Sequence, residues 1–367
     1  MIGLTLGAYL AKEFLRNILL IFLLFFFLIF VVDMIELSRK VGALADVSLG
    51  DVALIALYRA PAFAENILPF AILFGAASCL ILMNRRLELV VARASGVSVW
   101  QFLLPLAFTA AFVGAFASTA YNPLSLVGQT ASRGIEAAIF GKARGGISHN
   151  SQQFWLRVGH SSGDVVFRAQ VAQERGTRLT GVTVYRYGLN MQVEERFDAS
   201  RATFNDDTSQ PYFLLTNVMA SRSGEKSRPL DSVKIPVDIT RFQLQADQTD
   251  VESVSIWNLE ERRRQAERAG KKTLPFETRF QTLLAQPLLF VAMVLVAATV
   301  SLTFARFGTN SKAILCGVAA GFVLYILTKL VVTFGSNGLV PPAFAAWSPA
   351  IVACLIGITV LMHQEDG

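Results

Sequence analysis

Arg86, Glu88 and Arg93, followed by Ser95 and Gly96, form the most chemically suggestive group in the chain. They lie in the stretch Arg85-Arg86-Leu87-Glu88-Leu89-Val90-Val91-Ala92-Arg93-Ala94-Ser95-Gly96, between two long apolar runs. Leu87, Val90, Val91 and Ala94 recur at helical spacing, and the charges fall largely elsewhere on the wheel. Gly96 supplies a C-terminal stop. A short amphipathic helix carrying a carboxylate at a membrane face suits ionic docking to a partner; a solvated charged turn is the alternative. A second group is cationic. Arg39 and Lys40 follow the first apolar run, and Lys329 lies inside a late one, about 8 Å of helical rise from its end at Phe334. Cations there suit an anionic headgroup through charge-assisted hydrogen bonds. Lys329 is also close enough to the end of its run to snorkel.

Catalytic patterns are missing. Gly141-Lys142 lacks a phosphate-binding glycine loop, and neither H-E-x-x-H nor G-x-S-x-G occurs. His149, His160 and His363 stand apart, outside the apolar runs. Cys79, Cys316 and Cys354 fall within apolar runs and read as small core residues. No metal, cofactor or enzymatic activity is implied, so any energy must come from another subunit.

The elements that position these groups are membrane spans. Of 367 residues, 53% are hydrophobic and only 16% charged, too few charges for a soluble chain of this size. The runs predict spans at Phe14 to Val32, Ala62 to Met83, Val99 to Tyr121, Phe280 to Ala305, Ala313 to Phe334, and Phe344 to Met362. The first lacks a small-residue cleavage site and reads as retained. Lys12, Arg16, Arg85, Arg86, Arg93, Arg306 and Lys312 collect on one face, which the positive-inside rule makes cytoplasmic, with both termini. The net charge of +6 suits such loops and does not imply nucleic acid.

Between the third and fourth spans the pattern changes to short runs of alternating or β-branched residues, such as Val165-Val166-Phe167-Arg168-Ala169 and Val182-Thr183-Val184-Tyr185. Turn clusters separate them. The expected fold is a multi-pass α-helical membrane protein with six transmembrane helices, three plus three, and an inserted all-β, jelly-roll-like periplasmic domain. Its parts are residues 1–122 with the short helix at 85–96, the β domain at 123–255, a linking helix and return segment at 256–279, and the last three spans at 280–367. The linking helix is charged, with Glu260, Arg263, Arg264 and Glu267.

Taken together, the chain resembles the lipopolysaccharide-export permeases of the LptF/LptG (YjgP/YjgQ) family over nearly its whole length. Arg86 to Gly96 looks like the family's cytoplasmic coupling helix. Gln286-Pro287-Leu288, Val340-Pro341-Pro342, Ala346-Trp347-Ser348-Pro349 and the strand around Gln152, Gln153 and Trp155 also fit. The Glu-Leu-Val-Val and Ala-Ser-Gly elements place it nearer the LptG branch. The resemblance implies a Gram-negative inner-membrane permease that pairs with an LptF-type permease and sits on an LptB-type ATPase dimer. Lipopolysaccharide would enter through gates involving spans one and five, then pass to LptC-type and LptA-type jelly-roll proteins. Glu88 would face the ATPase, with Arg86, Arg93, Ser95 and Gly96 around it. Arg39, Lys40 and Arg133 would meet lipid A phosphates. Phe30 and Thr130 stand where the family carries basic residues, and Lys329 is our suggested compensation. Two other readings share the sequence features: a relay permease that transmits ATPase motion without moving lipid, and a membrane-anchored periplasmic scaffold.

Overall fold

The computed structural model describes residues 4–41, 48–143, 154–160, 163–173, 176–188, 193–206, 211–222, 227–237, 251–268, 272–307 and 311–366. The chain divides into two compact units. Met1–Ile135 with Val251–Gly367 form a helical unit, and Glu136–Asp250 form a second unit that contains all the described strands.

The helical unit contains α1 (Leu4–Val41), α2 (Leu49–Glu65), α3 (Leu68–Arg85), α4 (Glu88–Ala94), α5 (Val99–Phe116) and the start of α6 (Asn122–Ala143). After the β unit come α7 (Ile256–Arg268), α8 (Leu274–Phe307), α9 (Ser311–Ser336) and α10 (Pro342–Asp366). Among the described residues, six helices are long and apolar enough to cross a membrane. The multi-pass fold with an inserted β domain is therefore as the sequence implies. The centre is built on α3 and α8, whose spanning windows are 56% and 50% buried. The window of α1 is only 11% buried and that of α9 22%, which leaves their apolar surfaces to lipid or a partner.

Prolines explain where the helices differ from expectation. The second span begins at Leu68, not Ala62. A continuous helix would bring the Pro69 ring against the carbonyl of Glu65, so α2 ends at Glu65 and Pro69 falls in the first turn of α3, where no N–H is needed. The segment before it is largely helix: α2 opens on a reciprocal cap between Ser48 and Asp51. The third span does not stop at Asn122-Pro123. A π-turn at Ala117–Tyr121 joins α5 to α6, and the helix continues through Pro123. Pro123 leaves the Thr119 carbonyl without its helical donor, and the Trp257 indole N–H of α7 supplies one at 3.1 Å. Pro287 likewise frees the Leu283 carbonyl, which accepts from the Ser118 hydroxyl at 2.6 Å.

That bond sits at the closest approach of two spans. A Cβ on Gly114 would lie 2.5 Å from Pro287 Cα, so only glycine lets the α5 and α8 backbones meet there. Ser118 is 3% exposed. Ser118→Ala would leave the Leu283 carbonyl unpaired in an apolar contact. We expect a cost of about 1 kcal/mol, read as a lower midpoint in detergent denaturation.

The second unit holds β1 (Phe154–His160), β2 (Gly163–Gln173), β3 (Arg178–Tyr187), β4 (Val193–Asn205), β5 (Tyr212–Arg222) and β6 (Arg228–Pro236). They form one antiparallel sheet in sequential order. One face is the core: Phe167 and Phe213 are fully buried with ring centroids 4.8 Å apart, and Phe204 lies 5.2 Å from Phe213. A flat single sheet would leave such rings exposed, so this sheet curls over its inner face. The inward alternation slips by one residue at the same level on neighbouring strands, from Leu179 to Val182, Ala199 to Ala202 and Leu215 to Val218. Gly181 and Asn217 take positive φ, +63° and +54°, along that line. The slips crease the sheet and keep apolar residues inside on both sides of the bend.

Candidate functional site

The first site is α4. Leu87 breaks the chain after α3 with φ of +59°, a left-handed conformation that costs a leucine roughly 1–2 kcal/mol. The helix ends on a Schellman turn: Val97 N–H donates to Ala92 O at 3.1 Å and Gly96 N–H to Arg93 O at 3.0 Å, with Gly96 at φ of +89°. The Ser95 hydroxyl also returns to Ala92 O, at 2.8 Å. Three of the predicted coupling residues, Arg93, Ser95 and Gly96, therefore shape the end of the helix, although the helix is shorter than the expected 85–96.

The helical spacing did not show which side of α4 faces inward. Leu89 is the buried anchor, 4% exposed, and joins the core that contains Met83 and Phe102. Its burial contributes about 2 kcal/mol. Leu87, Val90 and Val91 face outward. The backbone turn at Leu87 sets this rotation, which a helical wheel drawn from Arg85 cannot anticipate.

Glu88 is held on both sides. The Tyr9 hydroxyl of α1 reaches its two carboxylate oxygens at 3.2 and 3.3 Å, and the Arg86 guanidinium lies 3.9 Å away. Beneath them a cavity of about 480 Å³ is lined mostly by apolar side chains, including Leu6, Leu10, Met83 and Phe102. Tyr9 carried no signal in the sequence, because its partner is 79 residues away. Arg93 lies on the last turn, exposed.

A second site lies at the opposite end of α3, roughly 27 Å of helical rise from α4. Lys329 Nζ donates to Asn66 Oδ1 at 3.2 Å and lies 5.7 Å from the centre of the Tyr325 ring. It lines a cavity of about 330 Å³ with Glu65, Glu252, Thr278 and Arg279. Arg279 pairs with Glu65 at 3.1 Å. Glu65 also accepts from Asn122 and Ser125, and Asn122 Oδ1 in turn accepts from Ile256 N–H at 3.4 Å. Glu65 and Arg279 were missed in the sequence; each looks like an ordinary charge at the end of an apolar run.

The predicted cations do not converge. Arg39 is exposed near the end of α1, and Arg133 is exposed on α6. Neither has a hydrogen bond or ion pair among the described residues. The Lys40 side chain lies outside the described ones, as do those of Arg306 and Lys312 and the residues Gln152 and Gln153. Phe30 is partly buried, and Thr130 is exposed with its hydroxyl on Val127 O. Two expected motifs find structural uses. Trp347 donates to Gln281 at 3.1 Å, tying α10 to α8, and Pro341-Pro342 open α10. On α7, Arg263 and Arg264 hold the Glu260 carboxyl down at about 2. The group is a solvated ion-pair cluster, while Ile256, Leu259 and Ala266 dock the helix. No group of three metal-ligating side chains occurs among the described residues.

A family model described as "Lipopolysaccharide export system permease LptF/LptG" matches residues 8–363. Two curated relatives share 23% identity over 98% of this chain and 99% of their own length. Both are "Lipopolysaccharide export system permease protein LptG", from Escherichia coli strain K12 and Escherichia coli O6:H1 strain CFT073.

Proposed function

Because this chain belongs to the LptF/LptG family of lipopolysaccharide export system permeases, we propose that it is the transmembrane permease subunit of an ATP-driven lipopolysaccharide exporter. It sits in a Gram-negative inner membrane with both termini and α4 on the cytoplasmic side and the β unit in the periplasm. It pairs with an LptF-type permease above an LptB-type ATPase dimer. The complex draws lipopolysaccharide from the outer leaflet and hands it to LptC-type and LptA-type bridge proteins.

The observation that carries this reading is the build of α4. A seven-residue helix is isolated between spans, anchored inward by Leu89, and turned so that Val90 and Val91 face outward beside the half-exposed Glu88. An apolar patch with a fixed carboxylate is what a partner groove needs in order to push on the chain. Tyr9 carries the push directly to α1, one of the two least covered spans. The other is α9, so the open apolar surfaces of α1 and α9 suit a lateral path for acyl chains. Arg39, Lys40, Arg133 and Lys329 are the cations assigned to lipid phosphates.

The test is reconstitution of the permease pair and its ATPase in proteoliposomes, with ATP-dependent transfer of lipopolysaccharide to a bridge protein as the readout. ATP hydrolysis without transfer would leave the relay reading in its place. Within that assay, Arg39→Glu with Lys40→Glu is expected to lower photocrosslinking of lipopolysaccharide to α1 about tenfold while the complex still assembles. Undiminished crosslinking would remove these residues from the substrate path.

A further inference from the structure

Two buried polar groups beside the Lys329 cavity are left without a hydrogen-bond partner. Arg279 Nε is buried and has no partner, although the same guanidinium pairs with Glu65. Thr278 is 1% exposed, and its hydroxyl has no partner either. Lys329 is a donor of three protons with one acceptor, Asn66, in hydrogen-bond range. Glu65 does not reach these two groups, and it already accepts from Arg279, Asn122 and Ser125. Buried donors left unmatched cost about 1–3 kcal/mol each, so the arrangement calls for an oxygen-rich acceptor.

Charge narrows the choice. Lys329 and Arg279 are matched in number by Glu65 and Glu252 around the same cavity. A bare anion would leave the cavity negative, whereas a zwitterion keeps it neutral. The volume of about 330 Å³ lies at the small end of ligand pockets and admits a headgroup rather than a sugar chain. Its position suits an amphiphile. Lys329 is seven residues from the end of α9, and Phe322, Ile326 and Leu330 on the same helix are exposed.

We propose that this cavity binds a zwitterionic phosphoethanolamine-type headgroup of a membrane lipid, with phosphate oxygens on Lys329, Arg279 and Thr278 and the ammonium toward Glu252. The proposal rests on the reading of the chain as a lipid-handling permease and assigns Lys329, itself exposed at the cavity mouth but bonded to Asn66, a site that Arg39 and Arg133 do not share. The headgroup is carried either by phosphatidylethanolamine or by a lipopolysaccharide bearing phosphoethanolamine.

The test uses the full-length chain with its co-purified partner permease, delipidated in detergent, without ATPase or ATP. Dihexanoyl-phosphatidylethanolamine and dihexanoyl-phosphatidylglycerol are titrated separately, and binding is read by native mass spectrometry. The ethanolamine lipid should bind saturably and more tightly than the glycerol lipid. Lys329→Met and Thr278→Val should each weaken it about tenfold or more. Thr278→Val removes only an unpartnered hydroxyl, so it should fold at least as well as the parent. Glu252→Gln should weaken the ethanolamine lipid and strengthen the glycerol lipid, a crossover that a purely structural role would not produce. Arg39→Gln should change neither. Competition by phosphoethanolamine-bearing lipopolysaccharide would identify it as the source, and lack of competition would identify the phospholipid. Absence of saturable binding, or binding indifferent to all three cavity substitutions, would overturn the proposal. Because no motor is present, that failure is distinct from failure of the export reading.

Discussion

Glu88→Ala is expected to lower ATP-driven release of lipopolysaccharide by about thirtyfold or more. Removing one partner of a desolvated charged contact at an interface costs about 2–5 kcal/mol. In the free chain the same carboxylate is partly exposed, bonded to Tyr9 and close to Arg86. Its removal should therefore change fold stability by no more than about 0.5 kcal/mol. That combination separates a contact made with the motor from one made within the permease. Tyr9→Phe is the companion variant. It keeps the carboxylate but releases it from α1, so coupling should fall only severalfold while the ATPase still co-purifies. If Glu88→Ala releases lipid at the parental rate, force does not enter through α4.

Gly114→Leu is expected to prevent accumulation of folded protein, with a cost of about 3 kcal/mol or more. The added Cβ alone meets Pro287 Cα at 2.5 Å and Pro287 N at 2.9 Å, both backbone atoms that no rotamer change can move. Separating α5 from α8 would also pull Ser118 from the Leu283 carbonyl and from Gln286, opening the centre of the helical unit. The measurement is the monodisperse fraction on size exclusion after mild detergent extraction, with Gly114→Ala as a graded control. A well-folded Gly114→Leu protein would show that the two backbones do not meet as closely as described.

These two positions differ in how visible they are in the sequence. Glu88 stands out because a charged, helix-patterned stretch between apolar runs has few ordinary uses. Gly114 is one glycine in a long span, and nothing near it reveals that Pro287 lies against it. Pro69 and Pro123 were visible, but their effects were not. One sits harmlessly in a first turn, and the other is tolerated because a tryptophan from α7 occupies the carbonyl it frees.

The residue order alone determined the spans, the inserted strands, the charged linking helix and the short helix before Gly96. Each depends on hydrophobic periodicity and on backbone rules that act within a few residues. Only the tertiary structure decided which face of α4 points outward, that Tyr9 holds Glu88, and that Lys329 shares a cavity with Arg279, Glu65 and Thr278. The Arg279–Glu65 pair joins residues 214 positions apart, and Ser118 meets Leu283 across 165. Such meetings follow from how helices pack, and packing depends on the shapes of many side chains at once rather than on any local pattern.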